Sequence, residues 1–255
     1  MASAISIQAR VIGALILREL HTRYGRENIG YLWLVAEPLM LGTVISLLHN
    51  QGGSHGGTNP AAFAMVGYTI FILFRAMINR ADGAISANAP LLYHRMVTVL
   101  DICIARALLE LAGTVMAFII LFGGCYVIGY VSLPERPLDL MAGIAAVFMI
   151  AMGVSMIITG VTYHNSFLER FIHPFAYFQI PFSAAFFQVK DVPEPYRSYL
   201  LISPLPHAFE LVRYGAFSEA KADYINAPYI IACCLVLNFF GLLALKSVRS
   251  RIKLN

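Results

Sequence analysis

Several charged residues stand inside or next to long apolar stretches of the sequence. Arg75 lies late in one stretch, Glu37 precedes a proline in another, and Arg106 and Glu110 open a third. A charge at the centre of an isolated membrane helix costs about 2.5–3.5 kcal/mol, so these residues need a partner or polar surroundings. Arg106 and Glu110 are four residues apart and can pair on one helix face. Arg75 either reaches the inner membrane surface with its long side chain or lines a polar cavity.

Aromatic residues are concentrated in the segment 167–188, which includes Tyr177 and Phe178. Their faces can stack against sugar rings or lipid tails, and plain packing within a membrane is the alternative. Pro174 and Pro181 each remove a backbone hydrogen-bond donor, so we expect a kinked or broken helix in this segment. We take Tyr177 and Phe178 as candidate ligand contacts.

The sequence lacks the common motifs of nucleotide-binding proteins and hydrolases. It has no GxxxxGK[ST] phosphate loop and no HExxH or HxxEH zinc motif. The seven histidines are scattered, and the four cysteines lack a CxxC spacing and lie in or beside apolar runs. We expect the cysteines to be small buried side chains. No catalytic residue, metal site or cofactor is expected in this chain.

The elements that must position these residues are membrane helices. Of 255 residues, 59% are hydrophobic and 13% are charged, whereas a soluble domain has about 25% charged residues. Crossing about 30 Å of hydrocarbon takes about 20 mostly apolar residues. We therefore predict an all-α integral membrane fold with a single transmembrane domain over 1–255. Its six predicted spans cover 29–48, 60–79, 107–129, 138–162, 167–188 and 227–247.

The segment 5–25, ahead of the first predicted span, has the pattern of an amphipathic helix. Its apolar residues share one face and its basic residues the other, which favours a helix lying in the membrane interface over a soluble one. The distribution of lysine and arginine predicts the orientation. With six spans and both termini in the cytoplasm, thirteen basic residues lie inside and five outside, as the positive-inside rule requires. The net charge of +4 is too small to suggest a nucleic-acid partner.

The predicted cytoplasmic connection between the second and third spans, 82–100, is long for a segment without a task. Asn88 and Pro90 can start a short helix in it. That helix would leave Tyr93, His94 and Arg95 available to a partner. An ordinary solvated connection is the alternative.

The outer connection before the last span, 189–226, has its own apolar content and is divided by prolines. Phe209, Val212 and Phe217 can bury one side of a short helix there. Exposing so many aromatic side chains to water would be unfavourable. The pattern therefore predicts a re-entrant or interfacial region, with a simple folded outer loop as the alternative.

Three blocks of sequence resemble the membrane subunits of type 2 ATP-binding-cassette exporters. The resemblance is to the branch that moves lipid-linked capsule polysaccharides or related O-antigens in Gram-negative bacteria. The first block joins a basic helix and an Arg-Tyr-Gly turn to a Gly-x-x-Trp-x-x-x-x-Pro entry into the first span. Its positions are Arg23, Tyr24, Gly25, Gly30, Trp33 and Pro38. The blocks 90–106 and 203–217 are similar to the family's cytoplasmic connection and outer re-entrant region, so the resemblance covers nearly the whole chain.

The resemblance implies a homodimer in the bacterial inner membrane that works with two separate ATPase subunits. ATP and Mg²⁺ would bind to those subunits, and the N-terminal helix and the connection 82–100 would receive the ATP-driven movement. The candidate coupling residues are Arg18, Arg23, Tyr24, Tyr93, His94 and Arg95. The family also implies a periplasmic adaptor resembling a co-polymerase, an outer-membrane channel and a lipid-linked polysaccharide as cargo.

Candidate cargo contacts follow from this resemblance together with residue type and depth. A polyanionic sugar chain cannot cross the hydrocarbon unaided, because burying even one charge is costly. Arginine forms strong bidentate bonds with phosphate and carboxylate groups. The channel residues predicted on this basis are Arg75, Arg106, Glu110, Tyr177 and Phe178.

Two other functions are compatible with parts of the sequence. A type 2 exporter of another cargo, such as O-antigen, teichoic acid or a small lipophilic molecule, would have the same fold and the same need for a separate ATPase. A membrane-embedded lipid-modifying enzyme is the second alternative. Such an enzyme would place histidines or acidic residues together at one membrane depth, whereas here they are spread over both sides and the loops.

Overall fold

The computed structural model describes residues 4–24, 29–49, 58–92 and 97–251. These residues form helices and connections, with no β-strand among them. The α-helices are α1 (Ala4–Tyr24), α2 (Ile29–His49), α3 (Pro60–Asn79), α4 (Ala89–Leu92), α5 (Val99–Ile128), α6 (Pro137–His164), α7 (Glu169–Ser183), α8 (Tyr196–Leu200), α9 (Pro204–Ala216) and α10 (Ala227–Arg251). Short 3₁₀ turns at Ser86–Asn88, Ser166–Leu168 and Val189–Asp191 join some of them.

Four helices of the described ranges are long and apolar enough to cross a membrane. They are α3, α5, α6 and the Ala227–Val248 part of α10, and they confirm four of the predicted apolar spans as long helices. Helix α5 begins at Val99, eight residues before the predicted span. The reason is a capping box, in which the Thr98 hydroxyl accepts from the Asp101 amide and the Asp101 carboxylate accepts from the Thr98 amide.

The other two predicted spans, 29–48 and 167–188, correspond to α2 and α7, which are not among these four helices. Helix α2 matches the range 29–48 and contains the described apolar stretch Val35–Val44. Helix α7 has 15 residues and is therefore shorter than the predicted span 167–188. Both of its prolines lie inside one helix, which ends at Ser183 where Ala184 adopts a left-handed conformation with φ of 57°.

Helix α3 lies at the centre of the fold. Asn59 fixes its beginning, since the Asn59 side chain accepts hydrogen bonds from the amides of the first turn at 2.9 and 3.3 Å. Within α3 only Arg75, Ala76 and Asn79 are not buried. The helix packs against α2, α5, α6, α7 and α9. Its apolar residues therefore form the middle of the main hydrophobic core.

Helix α6 packs closely against α9 and α10. A Cβ added at Gly215 would lie 2.1 Å from the backbone nitrogen of Leu140, and one added at Gly160 would lie 2.6 Å from the Ala244 Cβ. Only glycine allows the backbones to approach this closely, as in many membrane helix pairs. Phe209, Val212 and Phe217 are buried, as the sequence predicted for one side of a short helix in the outer connection.

Candidate functional site

Arg75 lies at the junction of α2, α3 and α7. Its Nη2 atom is 3.8 Å from Glu37 Oε1, and its guanidinium lies over the Tyr177 ring, 5.5 Å from the centroid. The Arg75 side chain is 14% exposed and that of Glu37 is 44% exposed, so the pair opens toward the surface. The structure thus brings together two of the predicted channel residues, Arg75 and Tyr177. Sequence spacing did not reveal the Glu37 partner, because it lies on another helix.

Phe178 and its neighbours form an exposed aromatic face of α7. Phe178 is 64% exposed, and its ring stacks obliquely on Phe182 at 5.1 Å. Phe171 and Phe175 are also exposed. In this single chain the aromatic face is uncovered and is available to lipid, a second chain or cargo.

Arg106 and Glu110 take part in ion pairs between helices. Arg106 Nε lies 3.0 Å from Glu19 Oε1 of α1, and Arg80 Nε lies 3.0 Å from Glu110 Oε1. Arg106 Nη1 also donates to the Arg80 carbonyl oxygen at 3.0 Å. These four residues form a ladder that ties α1 to α5 and to the end of α3. We call it the inner ladder, after the predicted cytoplasmic orientation of this end. Glu19 and Arg80 are its two members that sequence analysis missed.

A second set of contacts ties α1 to the connection that follows α3. Arg18 Nη1 donates to Asn88 Oδ1 at 2.6 Å, and Arg18 Nη2 donates to the Ala87 carbonyl at 3.4 Å. Gln8 donates to the Asp101 carboxylate at the start of α5. A surface cavity of about 320 Å³ lies beside these contacts and is lined by arginines of the inner ladder and by Asn88. A displacement of α1 would therefore be transmitted to both α5 and the connection.

The predicted coupling residues are only partly described by the structure. Arg18 is described and contacts the connection through Asn88 and Ala87, and its coupling role stays a prediction. Tyr93, His94 and Arg95 lie outside the described residues, as do the side chains of Arg23 and Tyr24.

A buried ion pair in α9 is a feature that sequence analysis did not single out. Arg213 is 2% exposed, and its Nη1 atom lies 3.2 Å from Glu210 Oε1. It also donates to the Ala184 carbonyl, and its guanidinium lies 4.2 Å from the Phe63 ring centroid. Glu210 further accepts a hydrogen bond from the Val189 amide at 3.1 Å. The spacing of three residues between Glu210 and Arg213 was the signal available in the sequence.

Electrostatics keep Arg213 charged despite its burial. Burial lowers the pKa of the Arg213 guanidinium to about 10, and the negative charge of Glu210 opposes that shift. The residue therefore remains a cation at neutral pH. One buried cation thus holds α9 to the bend after α7 and to the beginning of α3.

Comparison with known proteins gives matches over nearly the full length of the chain. The family described as ABC-2 type transporter matches residues 10–217. The chain is 38% identical over 241 residues to the capsule polysaccharide export inner-membrane protein CtrC of Neisseria meningitidis serogroup A, covering 94% of this chain and 91% of that protein. It is 34% identical over 252 residues to the capsule polysaccharide export inner-membrane protein BexB of Haemophilus influenzae, covering 98% and 95%. It is 30% identical over 249 residues to the polysialic acid transport protein KpsM of Escherichia coli, covering 94% of each.

Proposed function

The chain belongs to the ABC-2 type transporter family, and from this premise we propose that it is the membrane subunit of a capsular polysaccharide exporter. Its cargo would be a lipid-linked polysaccharide that crosses the inner membrane of a Gram-negative bacterium. The observation that carries this proposal is the 30–38% identity to capsule and polysialic acid export proteins over at least nine tenths of each chain. The four long apolar helices agree with a membrane subunit. ATP and Mg²⁺ would bind to a separate ATPase subunit.

The proposal includes six spans with both termini in the cytoplasm. Helices α3, α5, α6 and α10 would supply four spans, and α2, with 21 residues, is long enough for a fifth. Helix α7 and the preceding 3₁₀ turn together cover 166–183. At about 1.5 Å per residue they would extend about 27 Å, close to the hydrocarbon thickness of about 30 Å. The segment with α8 and α9 would then lie at the outer surface as a re-entrant region.

Two copies of the chain would enclose the passage, because six helices are few for a polymer-wide channel. Arg75 and Tyr177 meet at one point of the structure and would face the cargo. Phe178, Arg106 and Glu110 are the other channel candidates. The arginines would contact phosphate or acidic sugar groups through bidentate hydrogen bonds.

The cytoplasmic ATPase would act on α1 and on the connection 82–100. The contacts of Arg18 with Ala87 and Asn88, together with the inner ladder, support a coupled movement of α1, α5 and the connection. Arg23, Tyr24, Tyr93, His94 and Arg95 would form the rest of this docking surface. A periplasmic adaptor and an outer-membrane channel would receive the polymer beyond the membrane.

Deleting the gene in its encapsulated host tests the proposed function. We expect loss of capsule from the cell surface, accumulation of lipid-linked polymer inside the cell, and recovery when the wild-type chain is supplied. Copurification should yield an ATPase whose hydrolysis depends on the complex. Normal surface capsule in the deletion strain would refute the proposal, and accumulation of O-antigen, teichoic acid or a small lipophile would assign another cargo.

Substitution of Arg75 tests the predicted channel contact within the same assay. Arg75→Ala should reduce surface capsule at unchanged protein level, because it removes the charge that would meet an anionic group. Arg75→Lys should retain more export than Arg75→Ala, although lysine lacks the bidentate geometry. Full export by the alanine variant would exclude a cargo contact at this position.

A further inference from the structure

Helix α8 (Tyr196–Leu200) has apolar side chains on two opposite sides. On its inner side, Leu200 is buried. On its outer side lie Tyr196 and Tyr199, followed by Ile202 in the turn after the helix, and each of these three residues is 67% exposed. We call these three residues the α8 outer face. The described part of the chain thus leaves a cluster of apolar side chains uncovered at this short helix.

Contacts of the inner side fix the direction in which the α8 outer face points. Leu200 packs with Ala184 and Val189 in a small hydrophobic cluster that lies behind the end of α7. Arg197, in the middle of α8, donates from Nε to the Val192 carbonyl oxygen at 2.9 Å. These contacts hold α8 in one orientation, so the two tyrosines and Ile202 are exposed by the fold itself.

The α8 outer face lies beside the beginning of α10. The Tyr229 hydroxyl donates to the Ile202 carbonyl oxygen at 2.5 Å, and Tyr229 is the third residue of α10. The apolar part of α10, Ala227–Val248, has 22 residues. At about 1.5 Å per residue a helix of that length extends about 33 Å, close to the hydrocarbon thickness of about 30 Å. The α8 outer face is therefore placed within about one helical turn of the end of this span.

The exposed residues change from charged to apolar at the same level. Before α10, the exposed residues include Glu219, Lys221 and Asp223. Within α10, Ile231 is 60% exposed and Leu235 is 68% exposed. Exposed charges require water, whereas the exposed aliphatic side chains of a membrane span require lipid. The α8 outer face therefore lies where water gives way to lipid.

Tyrosine suits this boundary, because its ring is apolar and its hydroxyl can bond to water and to lipid headgroups. Tyrosine is also common in protein–protein interfaces. A stable interface of that kind, however, uses about 20–30 residues on each side, far more than the α8 outer face offers. We propose that the α8 outer face is a lipid contact that anchors the outer connection 189–226 in the headgroup region of the bilayer.

Such an anchor would also support the end of α7. Leu200 joins α8 to Ala184 and Val189, which follow α7 directly in the chain. Contact of α8 with lipid headgroups would therefore set the depth at which α7 ends. The inference goes beyond the proposed function and does not depend on the cargo. Assignment of the anchor to the outer leaflet depends on the predicted orientation.

Tryptophan substitutions combined with quenchers at known depths test the anchor. Tyr196→Trp and Tyr199→Trp report on the α8 outer face. Ala222→Trp reports on the exposed segment before α10, and Leu235→Trp reports on the exposed side of α10. The wild-type chain has a single tryptophan, Trp33, whose signal is subtracted.

Each full-length variant would be placed without partner proteins in nanodiscs of phosphatidylethanolamine and phosphatidylglycerol. Three quenchers would be compared. The first is a lipid with a nitroxide on its headgroup, the second is a lipid brominated deep in its acyl chains, and the third is iodide in the water. All four substituted positions are exposed, so the larger indole ring meets no packed neighbour within the described part of the chain.

We expect the headgroup nitroxide to quench Tyr196→Trp and Tyr199→Trp at least about twofold more strongly than Ala222→Trp, because an indole ring at the interface stays at headgroup level. Brominated acyl chains should quench Leu235→Trp most strongly, since this position lies about 9 Å further along α10 than Tyr229. That signal also verifies that the chain is inserted. Iodide should quench Ala222→Trp most strongly.

Two results would overturn the inference. Iodide quenching of the α8 variants as strong as that of Ala222→Trp, without headgroup quenching, would show that the α8 outer face lies in water, where a periplasmic protein could bind it. Bromine quenching as strong as that of Leu235→Trp would place the face within the hydrocarbon. Neither cargo nor ATPase enters this assay, so both results would leave the exporter assignment standing, and surface capsule in the deletion strain tests that assignment separately.

Discussion

Replacing Arg213 with methionine should destabilise the region where α9 meets the beginning of α3 and the bend after α7. Methionine keeps an unbranched side chain but lacks the guanidinium that lies 3.2 Å from Glu210 and 4.2 Å from the centroid of the Phe63 ring. Glu210, which is 8% exposed, would remain as a buried carboxylate without its counter-charge. Removing one partner of a buried ion pair costs about 3–5 kcal/mol of folding free energy.

A double variant separates the effect of charge from the effect of packing. Glu210→Gln combined with Arg213→Met removes both charges and keeps a side-chain oxygen that can accept from the Val189 amide, now 3.1 Å from Glu210. The remaining loss is the cation–π contact with Phe63, about 2 kcal/mol at a desolvated site, together with the hydrogen bond to the buried Ala184 carbonyl. The two single substitutions should therefore be non-additive, with a coupling free energy of about 1–3 kcal/mol.

Thermal unfolding of the purified chain in nanodiscs, followed by circular dichroism, measures these effects. About 2–4 °C per kcal/mol is usual for proteins of this size, so Arg213→Met should lower Tm by about 6–20 °C. Arg170→Met, which removes an exposed arginine of α7, serves as the matched control and should leave Tm nearly unchanged. Additive single variants, or a loss in Arg213→Met no larger than in Arg170→Met, would refute a coupled buried ion pair.

Two further substitutions test the inner ladder and the close helix packing. Glu19→Gln removes the charge that pairs with Arg106. In proteoliposomes it should reduce the amount of polysaccharide exported per ATP hydrolysed by at least about fivefold. Arg10→Gln, on the exposed face of α1, should leave that amount unchanged. If Glu19→Gln leaves the polysaccharide exported per ATP hydrolysed unchanged, the inner ladder does not couple ATP hydrolysis to export. Gly215→Ala should cost about 1–3 kcal/mol of stability, because its Cβ would lie 2.1 Å from a backbone nitrogen of α6. Gly124→Ala, whose added Cβ would meet no neighbouring helix within 4 Å, should not lower Tm, and equal Tm values for both would contradict the packing.

Helix positions could be predicted where local signals mark their ends. The predicted span 60–79 coincides with α3 because Asn59 and Pro60 form a helix start that is visible in the sequence. Helix α5 begins eight residues before the predicted third span, because Arg106 interrupts the apolar run whereas the capping box at Thr98 lies further upstream. Hydropathy reports the apolar part of a helix, whereas capping residues determine where the helix begins.

Contacts between charged residues could be predicted only within one helix. A spacing of four residues drew attention to Arg106 and Glu110, but their observed ion-pair partners, Glu19 and Arg80, lie on another helix and at the end of α3. The Glu37 partner of Arg75 was likewise hidden, since 38 positions separate them in the sequence. Such pairs depend on how helices pack, and a single sequence contains no direct record of that packing.

The contacts of α1 constrain how movement can pass through the fold. The Glu19–Arg106 pair at 3.0 Å and the Arg18–Asn88 hydrogen bond make α1 follow α5 and the connection. The Arg75–Glu37 pair between α3 and α2 is longer, at 3.8 Å, and Glu37 is partly exposed, so this pair itself contributes less to holding the two helices together. Exposed pairs contribute little, whereas breaking a buried pair is costly. A displacement of α1 would therefore carry α5 with it, because the Glu19–Arg106 pair that would have to break is mostly buried.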